Sequence, residues 1–400
     1  MTVDHSECSE GKHYANSYFG DQPLNRVSFL REDETFLKLA LEYSKTQYIP
    51  FFQGEALVDG SKGKLYRVGE VGDSYDSSAV FTLIKETVSA EDFGLIKANN
   101  PNKSHTHLIF LGLDSTTAYA KEFIYKEQYS GTPIFAINFA DKVETDYIQN
   151  DSVTKLTFQS VFNDLTDNME ASLYSHARMY TQWSTKFKRC VECGEEIQFI
   201  HGGSKWVCTR SQCPLSDPLQ HRNNAAYPRT DPVVITAIVN RDWSKCCLAR
   251  SKRSIGKGII MYSTVAGFME PGETIESSCQ REVWEETGID VKYKDITIVK
   301  SQPWPYPQNL MIGCIATVDF NGQNEIIDLN HDPELLDAQW FDTRDLTNSL
   351  ATYESGFLLP LKLDNAKYSL DPEITVQLPG KNAIAYDLVT YVVKKFEETV

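Results

Sequence analysis

No stretch of this 400-residue chain approaches the run of about 20 apolar residues that a membrane-spanning helix needs. Positive charge is scarce, with 39 lysines and arginines against 55 aspartates and glutamates and a formal net charge of −16. That balance excludes broad electrostatic binding to the body of a nucleic acid or to an anionic membrane. The polar start MTVDHSECSEGKH lacks the apolar segment of a secretory signal, and Glu398-Thr399-Val400 is not a peroxisomal address of the Ser-Lys-Leu type. Repeats and low-complexity tracts are missing. The nine cysteines are an odd number, which together with the lack of an export signal disfavours a disulfide framework. The expectation is a soluble protein of a reducing compartment, the cytoplasm by default, with no membrane partner.

Apolar material is sufficient for sizeable cores, at 41% hydrophobic residues with 20 tyrosines and 20 phenylalanines. Four hundred residues exceed what one core serves, so more than one domain is expected. Residues 1–22 read as a poorly ordered polar tail, 23–185 as an N-terminal mixed α/β domain, 186–222 as a small cysteine-bearing ribbon and 227–400 as a second α/β domain. Strands are expected at Ile49–Phe52, Leu108–Leu113 and Ile134–Phe139, with a helix over Glu34–Tyr43. Leu173, Ala177, Tyr180 and Phe187 give an amphipathic helix from Asn168 to Phe187. In the second domain strands are expected at Val233–Val239, Cys246–Ala249, near Ile296–Val299 and at Leu310–Val318. A closing helix carries the stripe Ile384, Leu388, Val392 and Phe396. Helices on both faces of a mixed sheet, an α/β/α sandwich, is the natural packing.

The stretch from Gly267 to Ile289, GFMEPGETIESSCQREVWEETGI, carries the most chemistry. On a helix, Glu282, Glu285 and Glu286 stand at i, i+3 and i+4, so their carboxylates crowd one face. Such crowding favours a helix only if a cation lies between them, and hard oxygen ligands suit magnesium or manganese. The opposite face carries Ile275, Cys279 and Val283, which would bury against a sheet. Thr274 can cap the first turn, and Gly288 can end the helix in a left-handed conformation. Arg281 is expected to pair with Glu273 and brace the loop against the helix. The bland alternative, a solvated acidic helix, does not account for the whole spacing.

Cys190-Val-Glu-Cys193 and Cys208-Thr-Arg-Ser-Gln-Cys213 have the layout of two knuckles pinching one tetrahedral zinc. Gly194 would supply the tight turn of the first knuckle. A closed four-sulfur zinc holds a fold and does no chemistry. His201 between the pairs is expected to face solvent, while Cys246, Cys247, Cys279 and Cys314 read as core and Cys8 as part of the tail. Past the acidic helix lies Gln302-Pro303-Trp304-Pro305-Tyr306-Pro307-Gln308-Asn309. Alternating prolines would hold it extended without strand partners. It could then offer Trp304 and Tyr306 as flat faces to a base or nicotinamide ring. The competing reading packs both aromatics onto the core.

The 267–289 segment resembles the Nudix box. Followed by SQPWP-aromatic-P and preceded by a four-cysteine ribbon and a YPR-x-x-P segment, it is similar to the NADH pyrophosphatase branch of the Nudix hydrolases, most of all its fungal members. The similarity runs from about Cys190 to Phe341 and extends more weakly to FLGLD at Phe110–Asp114. It implies a Nudix α/β/α sandwich over 227–400 and two or three divalent magnesium or manganese ions. The implied ligands are Glu282, Glu286, the carbonyl of Ala266 and Glu334, with Glu285 beside them. It implies substrate contacts along Gln302–Asn309, at Tyr227 and at Ala385, and one structural zinc per chain. Family strips usually end in serine where this chain has Asn309. The implied reaction splits NAD(H) or a related dinucleotide into nicotinamide mononucleotide and AMP, and removes NAD caps from RNA 5′ ends. One of the glutamates, Glu285 or Glu286, would take the proton of the attacking water. The resemblance also implies a homodimer in which Tyr227 reaches the neighbour's site, and some relatives are peroxisomal. Two other readings stay open: hydrolysis of other nucleoside diphosphate derivatives such as ADP-ribose, dinucleoside polyphosphates or FAD, and a zinc-ribbon binding protein with an inactive Nudix fold.

Overall fold

The computed structural model describes residues 16–69, 79–87, 106–117, 119–143, 146–148, 151–217, 224–252, 259–353 and 375–400. Cys8 lies outside them. No helix among the described residues is long and apolar enough to cross a membrane.

In the N-terminal domain the strand Gln47–Phe52 pairs parallel with Thr132–Phe139, which pairs antiparallel with Thr106–Asp114. The helix Glu34–Glu42 starts where Asp33 accepts the backbone N–H of Phe36, satisfying one of the orphan donors at a helix start. The long helix Asn168–Lys186 begins the same way, with Asp167 accepting from Met169. It buries Ala171, Leu173, Tyr174 and Ala177 in one cluster with Ile49, Phe51, Ile109 and Ile134 of the sheet. The expected elements of this region are all present.

Residues 16–22, expected to belong to a poorly ordered tail, are packed against the rest of the chain; the remainder of that expected tail lies outside the described residues. Phe19 is buried, Tyr18 donates to the carbonyls of Val161 and Leu165, and Ser17 Oγ donates to the carbonyl of Ser301 at 2.8 Å. Two adjacent aromatics have large apolar surfaces, and here they fill the seam between the N-terminal helix and the second domain.

The ribbon is a hairpin of Ile197–Ile200 and Lys205–Cys208. Gly194 has φ 73°, the left-handed turn expected after the first cysteine pair.

The second domain is built on Asp231–Asn240, which pairs parallel with Asn309–Val318 and antiparallel with Lys245–Ser251 and Val265–Phe268. The strands Ile296–Trp304 and Leu335–Asp342 form the two outer edges. Side chains alternate along a strand, and the two faces of Asp231–Asn240 separate accordingly. Val234 and Ile238 pack with Cys279 and Val283 of the helix Ile275–Thr287. Ile235, Ala237 and Val239 pack with Ile384, Leu388 and Val392 of the helix Ile384–Glu397. The result is the expected sandwich, with helices on both faces. Cys246, Cys247, Cys279 and Cys314 are core residues, as read from the sequence.

Candidate active site

The helix Ile275–Thr287 is fixed at both ends. Thr274 and Ser277 form a reciprocal capping box, and Gly288 closes the helix at φ 72° with its N–H on the Trp284 carbonyl. Burial of Cys279 and Val283 against the sheet rolls Glu282 and Glu286 toward the strand Val265–Phe268. Glu282 is 9% and Glu286 5% exposed, while Glu285 on the helix flank is half-exposed. The box glycine has a steric explanation. A Cβ on Gly267 would stand 2.0 Å from the Glu282 carboxylate, so only glycine lets that carboxylate lie against the strand.

Arg281 does what the sequence suggested and more. Its Nε and one terminal nitrogen hold Glu273 at 2.6 and 2.8 Å, and it donates to the Phe268 carbonyl at 2.9 Å. The other terminal nitrogen reaches Glu282 at 2.7 Å and Glu285 at 3.0 Å. The guanidinium holds the Glu273 carboxyl down to about 2, whereas burial pushes Glu282 upward. Among the described residues Glu286 receives no such partner. Burial first, then the charges of Glu282, Glu334, Asp332 and Glu285, push its carboxyl up to about 8. A carboxyl so unwilling to ionise marks a cluster short of positive charge.

Glu334, in the segment just before Leu335–Asp342, is near enough for its charge to act on Glu286. Asp332 comes with it and was not singled out in the sequence, although it stands two residues before Glu334. Asp332 Oδ1 accepts the Glu334 N–H at 3.1 Å, and Trp284 stacks on His331 at 4.3 Å between ring centroids. These contacts tie the loop to the acidic helix. Ala266 is exposed on the strand beside Gly267.

The proline strip differs from expectation in two ways. Its first half has strand partners: Gln302, Pro303 and Trp304 pair with Met311, Leu310 and Asn309. An edge strand tolerates the missing N–H of Pro303. Only Pro305–Gln308 forms the turn, and Tyr306–Pro307 is cis. The second difference is packing. Trp304 stacks on Phe162 at 5.9 Å and meets Phe19 and Phe158 edge-on. Tyr306 meets Phe158 at 4.6 Å, and its hydroxyl lies 3.1 Å from that of Tyr174. Both rings are half-buried and bolt the two domains together, so neither is a wholly free face.

Other expected contacts are engaged within the chain. Gln302 Nε2 donates to the carbonyls of Tyr18 and Asn382, and its Oε1 accepts from Ile384 N–H. Gln308 accepts from Lys186 at 2.9 Å and donates to Met179. These two amides shape the site rather than reach into it. Asn309 Oδ1 is buried with no hydrogen-bond partner among the described residues. Ala385 is buried in the core at the first turn of the closing helix. Tyr227 is 42% exposed, with the Lys205 ammonium 5.0 Å from its ring centroid.

The sulfurs of Cys190, Cys193, Cys208 and Cys213 all lie within 4.8 Å of one another. Cys190 and Cys213 are 3.8 Å apart and Cys193 and Cys208 3.5 Å. A disulfide needs about 2.05 Å, while two metal–sulfur bonds of about 2.3 Å at the tetrahedral angle give about 3.8 Å. The donor set fits a metal ion. His201 is half-buried, 3.5 Å from Glu32, rather than fully solvent-facing, and stands outside the sulfur cluster.

Residues 229–358 match the model of the NUDIX domain. Over 96% of the chain and 97% of the relative, the sequence is 41% identical to the NAD-capped RNA hydrolase NPY1 of Saccharomyces cerevisiae. It is 29% identical to an NAD-capped RNA hydrolase of Schizosaccharomyces pombe, covering 84% of this chain and 85% of that one. The human NAD-capped RNA hydrolase NUDT12 is 35% identical over 86% of this chain and 70% of its own length. With the acidic helix, its glycine and the Arg281 brace in place, the chain belongs to the Nudix hydrolases, in the NAD-capped RNA hydrolase branch and close to fungal members.

Proposed function

We propose that this enzyme hydrolyses the pyrophosphate bond of NAD(H), releasing nicotinamide mononucleotide and AMP, and by the same cut removes NAD caps from RNA 5′ ends. The observation that carries the reading is the carboxylate cluster around the buried Glu286, which divalent cations would relieve. Glu282, Glu286, Glu334 and the Ala266 carbonyl would hold magnesium or manganese, with Glu285 and Asp332 at the margin. Bound there, the ions would neutralise pyrophosphate oxygens and lower the pKa of an attacking water. Arg281 keeps Glu282 and Glu285 oriented, and Glu273 keeps Arg281 in place. Glu286, whose proton is held near neutral pH, is the residue suited to exchange a proton with water at the reaction centre. The partly exposed edges of Trp304 and Tyr306 form a rigid wall for a base or nicotinamide ring, with Asn309 Oδ1 as an acceptor.

The four cysteines would hold one zinc, tying the ribbon together just past the end of the helix Asn168–Lys186. A homodimer in which the exposed Tyr227 meets a neighbouring subunit is part of the same proposal. An RNA body bound only through its capped end agrees with the net charge of −16. The test is a rate comparison with magnesium on NADH, NAD+, ADP-ribose, diadenosine polyphosphate and a short NAD-capped RNA, resolving products by chromatography. Fastest cleavage of NADH or capped RNA, with nicotinamide mononucleotide as a product, is expected; preference for ADP-ribose or diadenosine polyphosphate would refute the substrate assignment.

A further inference from the structure

Pro303, Pro305 and Pro307 remove three backbone donors from the strip, and strand pairing stops at Trp304. The turn from Pro305 to Gln308 must be held from outside, and one face of the N-terminal helix Asn168–Lys186 holds it. Arg178, 9% exposed, donates its Nε to the Pro305 carbonyl at 3.0 Å. One terminal nitrogen of the same guanidinium reaches the Gly54 carbonyl at 3.2 Å and the Glu55 carboxylate at 3.3 Å. Its central carbon lies 5.1 Å from the Tyr306 ring centroid. One helical turn earlier, Tyr174 meets the Tyr306 hydroxyl at 3.1 Å. Two turns later, Lys186 holds Gln308 at 2.9 Å.

We propose that Arg178 is a positioning residue for substrate recognition: it spans from the N-terminal Gly54–Glu55 turn to the Pro305 carbonyl and sets the wall formed by Trp304 and Tyr306. On this view the N-terminal domain is part of the substrate site although it carries no metal ligand. The inference rests on reading the strip as the ring-binding wall. A guanidinium suits the task because its planar fork can serve acceptors on both domains at once and lie against a ring. A lysine at 178 could supply a charge and one contact, but not the whole span.

The test uses the full chain with Arg178→Met, Arg178→Lys and Tyr174→Phe. Amide hydrogen exchange at Trp304, Tyr306 and Gln308 is expected to quicken by about tenfold or more in Arg178→Met, since local opening follows lost contacts. KM for NADH is expected to rise about tenfold with kcat within about twofold, the pattern of a lost binding contribution. The magnesium concentration giving half-maximal rate should stay unchanged. Arg178→Lys should recover part of both effects. Tyr174→Phe, which deletes a single hydroxyl, should show the same changes at about threefold, and carries the test with Arg178→Lys if Arg178→Met fails to fold. Unchanged exchange at the strip, an unchanged KM, or a lysine variant no better than methionine would overturn the proposal. If the wild type does not cleave NADH at all, the substrate reading falls, while the exchange measurement still decides whether Arg178 anchors the strip.

Discussion

Replacing Glu286 by glutamine should make the resting protein more stable and the enzyme inactive, and the size of the first effect follows from the site. The Glu286 carboxyl is pushed from its ordinary 4.5 to about 8 by burial and by the surrounding carboxylates. Between those two values the folded chain holds a proton that the unfolded chain has released, so stability falls as pH rises through the window. At pH 7.5 the interval above 4.5 spans 3 units, which at about 1.4 kcal/mol per unit gives an upper bound of about 4 kcal/mol. Relaxation and water entry reduce that to roughly 2 to 4 kcal/mol. Glutamine matches the protonated acid in shape and does not titrate. In magnesium-free buffer the variant should therefore unfold at a higher temperature than wild type, by several degrees at pH 7.5, with the gap shrinking toward pH 5. Magnesium at about a thousand times its Kd should offset that advantage, because it adds about 4.1 kcal/mol to the form that binds it. Hydrolysis of NADH should fall by at least about a hundredfold. The assay is differential scanning fluorimetry across pH with and without magnesium, alongside NADH turnover. Magnesium is withheld by dialysis rather than by a chelator, so that zinc at the cysteines is retained. A glutamine variant less stable than wild type at pH 8 without magnesium would refute the claim that Glu286 sits in a cation-deficient cluster, and retained turnover would refute its role.

Gly267→Ala should lower kcat by about a hundredfold, since the added Cβ, 2.0 Å from the Glu282 carboxylate, must push that carboxylate aside by an ångström or more; circular dichroism should stay unchanged. Arg281→Met should lower stability near neutral pH, with the gap to wild type closing as pH falls through the carboxylate range. Glu273 is depressed to about 2 by that guanidinium, so its contribution is present above the ordinary carboxylate range and lost as pH falls toward 2; an acid unfolding curve that does not move would count against the brace. Cys208→Ser should abolish stoichiometric zinc, read by elemental analysis, and unfold the ribbon at lower temperature, because zinc binding and folding of such small units are coupled. Trp304→Ala should cost about 2 to 4 kcal/mol in urea unfolding, since the indole fills the seam between Phe19, Phe158 and Phe162.

Local periodicity sufficed for the acidic helix, its caps and its buried row, because i, i+3 and i+4 relations and capping contacts are short-range and the same residues determine them in any fold. The cysteine knuckles were legible for the same reason, each pair lying within one turn. By itself the sequence determined most of the main elements, the three glutamates of the acidic helix, the four sulfurs and the strand alternation that puts a helix on each face of the second sheet. The tertiary structure decided what depends on residues far apart in the chain: that Phe19 and Tyr18 seal the seam rather than trail in solvent, and that Gln302 and Gln308 are occupied by partners from distant segments. It also brought Asp332 beside Glu286 and set Arg178 against Pro305. Sequence spacing carries no information about which surfaces meet across a domain boundary. There the outcome depends on shape, burial and the need of each buried donor and acceptor for a partner, and those exist only once the two domains are packed.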